Sequence, residues 1–411
     1  MDNRKLLAWR GRRTSTGGHD VPGIVVAILA DPQRRACAVY GREQTEAAAR
    51  TVVSRLVESL GRDVGLDTRN RFEWLLQLPQ GPGVDALLVA LQAGLTATTA
   101  EVDGVSVFVD FAYGISSGSV SGASVSGVGA DSLVRSADAA LCLALESQRR
   151  MAIAGPEVYE RLEDDLDLAV RLTNSSEAEF RQFYQPIVRI ADGATVGFES
   201  LLRWVTADGV LLPGDFLAVA EQTSTILPIG RNGVTQAVRA LHESIQPLCG
   251  TDAFVSINLS RQQLVDETIV DHVVTEIDKY GLGPGQIWIE VQENEVIDFD
   301  TEAQRAVERL HESGCTISID DLGSGFSALR YVRDLPVDVV KVDRALISAI
   351  ADNPADRAVV RAICEMAETM NISTVAEGVE HHADFTGVEE LGFQFAQGIY
   401  FGAPEPFGSA P

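Results

Sequence analysis

The chain has 411 residues, enough for two globular domains, each with its own core. Acidic side chains outnumber basic ones 59 to 33, for a formal charge of -26. That balance repels phosphate polymers and anionic membrane surfaces, so neither nucleic acid polymer nor membrane is an expected partner. The longest apolar run, GIVVAILA at residues 23 to 30, is too short to span a bilayer and reads as a buried strand. Cys37, Cys142, Cys249, Cys315 and Cys364 are scattered, with no CxxC pair. This excludes a disulfide framework or zinc site from the expectations and points to a reducing, cytoplasmic setting.

In chain order, residues 1–20 carry Arg4, Lys5, Arg10, Arg12 and Arg13 without an apolar leader segment, and read as a flexible basic tail. Residues 21–155 alternate strand and helix patterns: GIVVAILA, a helix through EQTEAAARTVVSRLVESL, the strand RFEWLLQL, a helix near VDALLVALQAGL, the strand VSVFVDFAYG and the helix ADSLVRSADAALCLALESQ. A small α/β domain is expected there. The Ser/Gly run 116–129 reads as a surface loop, because no Lys or helix-capping phosphate motif follows it. Residues 156–178 read as a connecting helix, its acids Glu163, Asp164, Asp165 and Asp167 on a solvated face.

From residue 179 to 408 the pattern changes. Short apolar runs stop on polar groups: GFES on Glu199, FVSIN on Asn258, IWIE on Glu290, TISIDD on Asp320 and Asp321, VVK on Lys341, TVAE on Glu377 and FQFAQ on Gln397. Buried strands have no structural use for terminal carboxylates. Eight strand candidates alternating with helices predict a TIM-like (β/α)8 barrel, which gathers the C-terminal ends of its strands into one site. Glu199, Asn258, Glu290, Asp320, Asp321 and Glu377 are all hard oxygen donors, a set suited to Mg2+ or Mn2+. Crowded carboxylates need neutralising cations, and two such ions clamp the attacking and leaving oxygens of a phosphoryl displacement. Hydrolysis of a phosphodiester is the expected chemistry, with Lys341 and Gln397 acting on the water or the developing charge.

These motifs, from FYQPIV through GFESLLRW, FLAVAEQT, SINLS, IEVQEN, IDDLGSG, VKVD, VAEGVE and QGIYF, resemble those of EAL-type cyclic di-GMP phosphodiesterase domains. The resemblance implies a barrel whose first strand is antiparallel, two Mg2+ or Mn2+ ions, and linear pGpG as product. By motif match it places Glu199, Asn258, Glu290 and Asp320 as inner metal ligands, and Asp321 and Glu377 at the second ion and the water. Lys341 matches the family's catalytic lysine, and Gln397 its glutamine near the water. Gln185, Leu201 and Arg203 match substrate contacts, and Glu293 and Glu380 match supporting positions, Glu293 holding the loop after Asp321. Three positions depart from the pattern: Ser200 stands for Ala, Leu322 for Phe and Ile399 for Tyr. Ser200 implies a tuned site, and Leu322 is the change expected to alter loop closure.

Residues 21–155 resemble a GGDEF diguanylate cyclase domain, most clearly in ADSLVRSADAALCLALESQ and RFEWLLQLP. Where its signature belongs the chain reads Thr68-Arg69-Asn70-Arg71-Phe72, without the glycines that admit a nucleotide or the acids that hold Mg2+. This half is expected to lack cyclase activity, leaving GTP binding or homodimerisation as its roles. A second reading of the whole chain, a receptor that binds cyclic di-GMP and signals through a partner, is opposed by the filled ligand positions. A sugar- or phosphate-processing barrel lacks this asparagine-plus-carboxylate set.

Overall fold

The computed structural model describes residues 23–60, 64–78, 89, 91, 98–117, 130–146, 150–154, 156–292, 302–322, 335–350 and 353–407. The basic tail, most of the helix expected at VDALLVALQAGL, nearly all of the Ser/Gly run, Glu293 and the loop after Leu322 lie outside them. The chain divides into two compact units, Met1–Asp167 and Leu168–Pro411. Each forms its own core.

In the first unit, β1 (Ile24–Ala30) is antiparallel to both β3 (Glu73–Leu78) and β6 (Phe111–Ser117). With β2 (Gly65–Thr68) and β7 (Met151–Ala154) they form one sheet, ordered β2-β3-β1-β6-β7. Because side chains alternate across a strand, β1 feeds two cores. Val26 and Ile28 pack with Ala48, Val52 and Leu56 of helix α1 (Arg42–Leu60), while Val25 and Ala27 pack with Leu133 and Ala137 of helix α2 (Ala130–Glu146). The run VSVFVDFAYG, expected as one strand, is two: β5 (Val105–Phe108) pairs in a hairpin with β4 (Thr99–Val102), and β6 begins at Phe111. Near-continuous apolarity concealed the break, since Asp110 was the lone charged residue in the run. Helix α3 (Pro156–Asn174), expected as a connecting helix, contains the division between the units, and its Leu172 packs with Phe180, Trp204 and Phe216 of the second unit.

The second unit is a closed eight-stranded barrel. Strands β8 (Phe180–Arg189), β9 (Thr195–Thr206), β11 (Phe254–Asn258), β12 (Ile287–Gln292), β13 (Thr316–Leu322), β14 (Val339–Val342), β15 (Ser373–Ala376) and β16 (Phe395–Gln397) pair in sequence, and β8 closes on β9. The six links from β9 to β16 are parallel; β8 is antiparallel to both neighbours. The strand β10 (Gly209–Leu211) extends β9 in a hairpin. Helices α4 (Pro213–Gln222), α5 (Ile226–Ala240), α6 (Ile269–Tyr280), α7 (Glu302–Glu312), α8 (Pro354–Thr369) and α9 (His382–Leu391) follow the strands, and the apolar residues of α5 to α9 join one continuous core around the barrel. The barrel floor is apolar: Ile187, Phe254, Trp288, Val339 and Val375 form one cluster, with Phe254 and Trp288 stacked at 3.6 Å between ring centroids.

Trp288→Ala opens this floor and is expected to cost about 3–5 kcal/mol in urea unfolding, against about 0.5 kcal/mol or less for the exposed Val210→Ala. Equal losses would contradict a sealed floor.

Candidate active site

Inward-facing side chains of the barrel change character along each strand, from the apolar floor to a polar ring. On β11 the order is Phe254, Ser256, Asn258; on β12 it is Trp288, Glu290; on β14, Val339, Lys341; on β16, Phe395, Gln397. The register aligns Ser256 with Glu199 and Asn258 with Glu290, and the latter pair is level in the ring. Not every member ends its strand: Glu199 lies within β9, because that strand continues past the rim to Thr206 to pair with β8 and β10.

Lys341 is the centre. Only 1% exposed, its Nζ lies 2.6 Å from Glu377 Oε1, 3.0 Å from Glu290 Oε2, 3.3 Å from Glu199 Oε2 and 3.4 Å from Asp320 Oδ1. Asn258 Nδ2 donates to Glu199 Oε1 at 2.9 Å, and Gln397 donates to Glu199 Oε2 and to Gln185 Oε1. Gln185 in turn donates to the Gly402 carbonyl at 3.1 Å. Gln397 is placed by its neighbour Gly398, where a Cβ would fall 2.0 Å from the Val379 carbonyl. Two adjacent carboxylates reach the ring because β13 breaks register between Ile319 and Leu322, and Asp321 adopts a left-handed φ of 58°. Strand alternation alone would send Asp320 and Asp321 to opposite faces.

Four carboxylates about one ammonium leave the cluster with net negative charge in a nearly dry interior. Burial alone would strip Lys341 of its proton, but Asp320, Glu199, Glu290 and Glu377 outweigh it and hold the lysine well above its ordinary pKa. Burial likewise opposes ionisation of Glu199, yet Lys341, Gln397 and Asn258 prevail and keep this carboxylate charged. Glu290 goes the other way, pushed well up by burial and by Glu199. Burial lifts Glu377 to about 8 despite Lys341. Asp321 rises to about 6 through burial and the charges of Asp320 and Asp343.

This donor set fits divalent cations. Ligand atoms of Asp320, Asp321 and Glu377 lie within 4.8 Å of one another. Glu290 Oε1, Asp320 Oδ1 and Gln397 Oε1 are buried and accept no hydrogen bond. Buried acceptors of that kind call for a partner, and hard oxygen donors take Mg2+ or Mn2+.

The expected ring residues and Gln185 are therefore brought together; Glu293, Glu380 and Arg203 are not among them. Glu293 lies outside the described residues. Glu380, expected at a supporting position, is paired with Arg344. Leu201 lines a cavity of about 290 Å3 that reaches Glu199, Asn258, Glu290 and Asp320. Arg203 donates to the Leu202 carbonyl and lies 5.7 Å from the Phe183 ring centroid. Leu322 is buried, whereas Ile399 is 61% exposed. Sequence reasoning missed Gln182, which lines the same cavity from β8; an outward-facing amide on a strand carries no chemical signal.

The model of the EAL domain family matches residues 167–404, more than half of the chain. The chain belongs to the EAL domain family. Its EAL region is 36% identical over 225 residues to MucR of Pseudomonas aeruginosa, a bifunctional diguanylate cyclase/cyclic di-GMP phosphodiesterase, covering 54% of this chain and 33% of that protein. An uncharacterized protein of Sinorhizobium fredii, y4lL, is 28% identical along 100% of this chain, which covers 49% of it. The chain thus spans less than half the length of these curated relatives. Among solved structures, the PaMucR phosphodiesterase in complex with c-di-GMP aligns with a TM-score of 0.54 at 33% identity, covering 60% of this chain and 98% of that one. The cAMP-bound EAL enzyme Bd1971 aligns at 0.57 and 26% identity, covering 84% and 90%. Among the described residues, no helix is long and apolar enough to cross a membrane.

The raised carboxyls give the EAL ring a pH signature. Unfolded Asp and Glu ionise near pH 4, so a folded carboxyl that ionises at about 8 contributes stability below the unfolded value and loses it as pH rises through the folded one. Melting of metal-free protein is expected to fall between about pH 5 and 8, less steeply in Glu377→Gln, and Mn2+ affinity is expected to rise across the same window. A wild-type profile no steeper than that of Glu377→Gln would contradict the assignment.

Proposed function

We propose that the protein hydrolyses cyclic di-GMP to linear pGpG at the barrel ring, with two Mg2+ or Mn2+ ions. The observation that carries this reading is the completeness of the ring: Glu199, Asn258, Glu290, Asp320, Asp321, Lys341, Glu377 and Gln397 are all present, and the buried ones are held by one another. A receptor that only bound the ligand would have no use for a lysine buried among four carboxylates. Binding of c-di-GMP by the PaMucR structure and the activity named for MucR support the same substrate.

Glu199, Asn258, Glu290 and Asp320 would hold one cation, and Asp321 with Glu377 the other. Bound there, the cations supply positive charge to the phosphodiester and lower the pKa of the attacking water. The chain's own groups do the rest. Lys341, fixed by its carboxylates, presents a proton-bearing cation to the charge that develops on the phosphoryl oxygens. Gln397, locked between Glu199 and Gln185, keeps one amide oxygen free to accept a hydrogen bond from the water or substrate. Arg203 and Gln185 contact substrate phosphate and guanine, with Leu201 on the cavity wall. Glu380, paired with Arg344, supports the surrounding loop. An acidic protein accepts an anionic substrate here because the cations reverse the local charge.

In the first unit, Arg69 and Arg71 occupy the turn between β2 and β3, paired with Asp138 and Glu46. On our reading this is a degenerate GGDEF domain without cyclase activity. Its remaining role is regulatory, through GTP binding or homodimer formation, in a cytoplasmic protein.

Purified protein with Mg2+ or Mn2+ is expected to convert cyclic di-GMP to pGpG, and Glu199→Ala to lower turnover about 100-fold or more. Undiminished turnover in the variant would refute the site. Incubation with GTP is expected to yield no cyclic di-GMP, and any such product would overturn the degenerate reading of the first unit.

A further inference from the structure

Ser200 stands between Glu199 and Leu201, at the position where the EAL signature has alanine. Its hydroxyl donates to Gln182 Oε1 at 2.8 Å, and both side chains are buried. Strand alternation puts Glu199 inside the barrel and Ser200 outside it, facing helix α5. The two partners are diagonal neighbours across the antiparallel β8–β9 pair, where Gln182 is level with Leu202 and Tyr184 with Ser200.

Gln182 is itself held from three sides. Its backbone N–H donates to Gln236 Oε1 at 3.2 Å, and Gln236 Nε2 donates to the Phe180 carbonyl at 2.8 Å. Its amide lies over Gly233 of α5, where a Cβ would come within 2.8 Å of Nε2. Through its backbone N–H and its side chain Gln182 therefore ties β8, β9 and α5 together beside Glu199. It also forms a wall shared by the cavity of about 290 Å3 that reaches the ring and an outer groove of about 690 Å3 lined by Arg181, Asn232, Gln236 and Arg239. Packing alone does not call for this pair. Two apolar side chains would fill the space without removing a hydroxyl and an amide from water.

We propose that the Gln182–Ser200 hydrogen bond is a positioning contact that fixes Glu199 in the ring and so sets the cation affinity of the site. Neither residue touches the substrate or the cations; both act through Glu199. The kinetic part of the inference rests on the phosphodiesterase reading, and the cation-binding part does not.

Four proteins test it: wild type, Ser200→Ala, Gln182→Leu and the double variant. Mn2+ affinity is read from free Mn2+ by electron paramagnetic resonance, and kcat and KM from cyclic di-GMP turnover. Each single variant is expected to weaken Mn2+ binding about tenfold, as loss of a group that orients a ligand does. The double variant is expected to recover most of that loss, because a matched apolar pair leaves no buried group unpaired. Ser200→Thr, which keeps the hydroxyl, is expected to match wild type and serves if Ser200→Ala does not fold. Unchanged Mn2+ affinity in both single variants, whatever their melting temperatures, would overturn the inference, as would a double variant whose losses simply add. Wild type that binds Mn2+ but leaves cyclic di-GMP intact would sink the phosphodiesterase reading while the Mn2+ comparison still decides this one.

Discussion

A single ammonium, Lys341 Nζ, buried among the carboxylates of Glu199, Glu290, Asp320 and Glu377, is the interaction on which the barrel depends. One positive charge cannot neutralise four negative ones, and taking ions out of water is costly unless they are well paired. The surroundings limit that cost. Asn258 and Gln397 donate to Glu199, and two of the remaining carboxylates, Glu290 and Glu377, resist ionisation because they are buried. What remains is a cluster short of positive charge and long of acceptors, which is the electrostatic condition for binding divalent cations.

The architecture follows from holding that cluster still. An apolar floor of Phe254, Trp288 and Phe395 seals the barrel below, and the core around the outside packs the helices of the second unit. The antiparallel first strand does something a uniformly parallel barrel would not: it brings Gln185 level with Glu199 and within reach of Gln397. The bulge at Asp320–Asp321 departs from regular strand geometry, and the left-handed backbone at Asp321 is the local strain that puts two carboxylates where regular alternation allows one. Outside the barrel, Ser200 and Gln182 carry the same logic one layer outward.

Much of this was legible in the sequence, because the barrel writes its site at strand termini and the ring residues are chemically conspicuous there. Glu199 was legible as a member of the ring although its strand runs on to Thr206; the carboxylate gave it away, and the apolar continuation LLRWV concealed the strand's true length. The split of VSVFVDFAYG into two strands was not legible, since a hairpin's exposed arm and a buried strand can both be apolar and β-branched. Nor was Gln182. An amide on the outer face of a strand looks like any polar surface residue until the hydroxyl of Ser200 is found beside it.

The most direct test of the central claim is a crystal structure of the protein soaked in Mn2+ with cyclic di-GMP, using anomalous scattering to locate the metal. The account predicts two anomalous peaks in the ring, one bounded by Glu199, Asn258, Glu290 and Asp320 and one against Asp321 and Glu377, with the phosphodiester against them. A ring without anomalous density, in which Lys341 keeps all four carboxylates to itself, would contradict it.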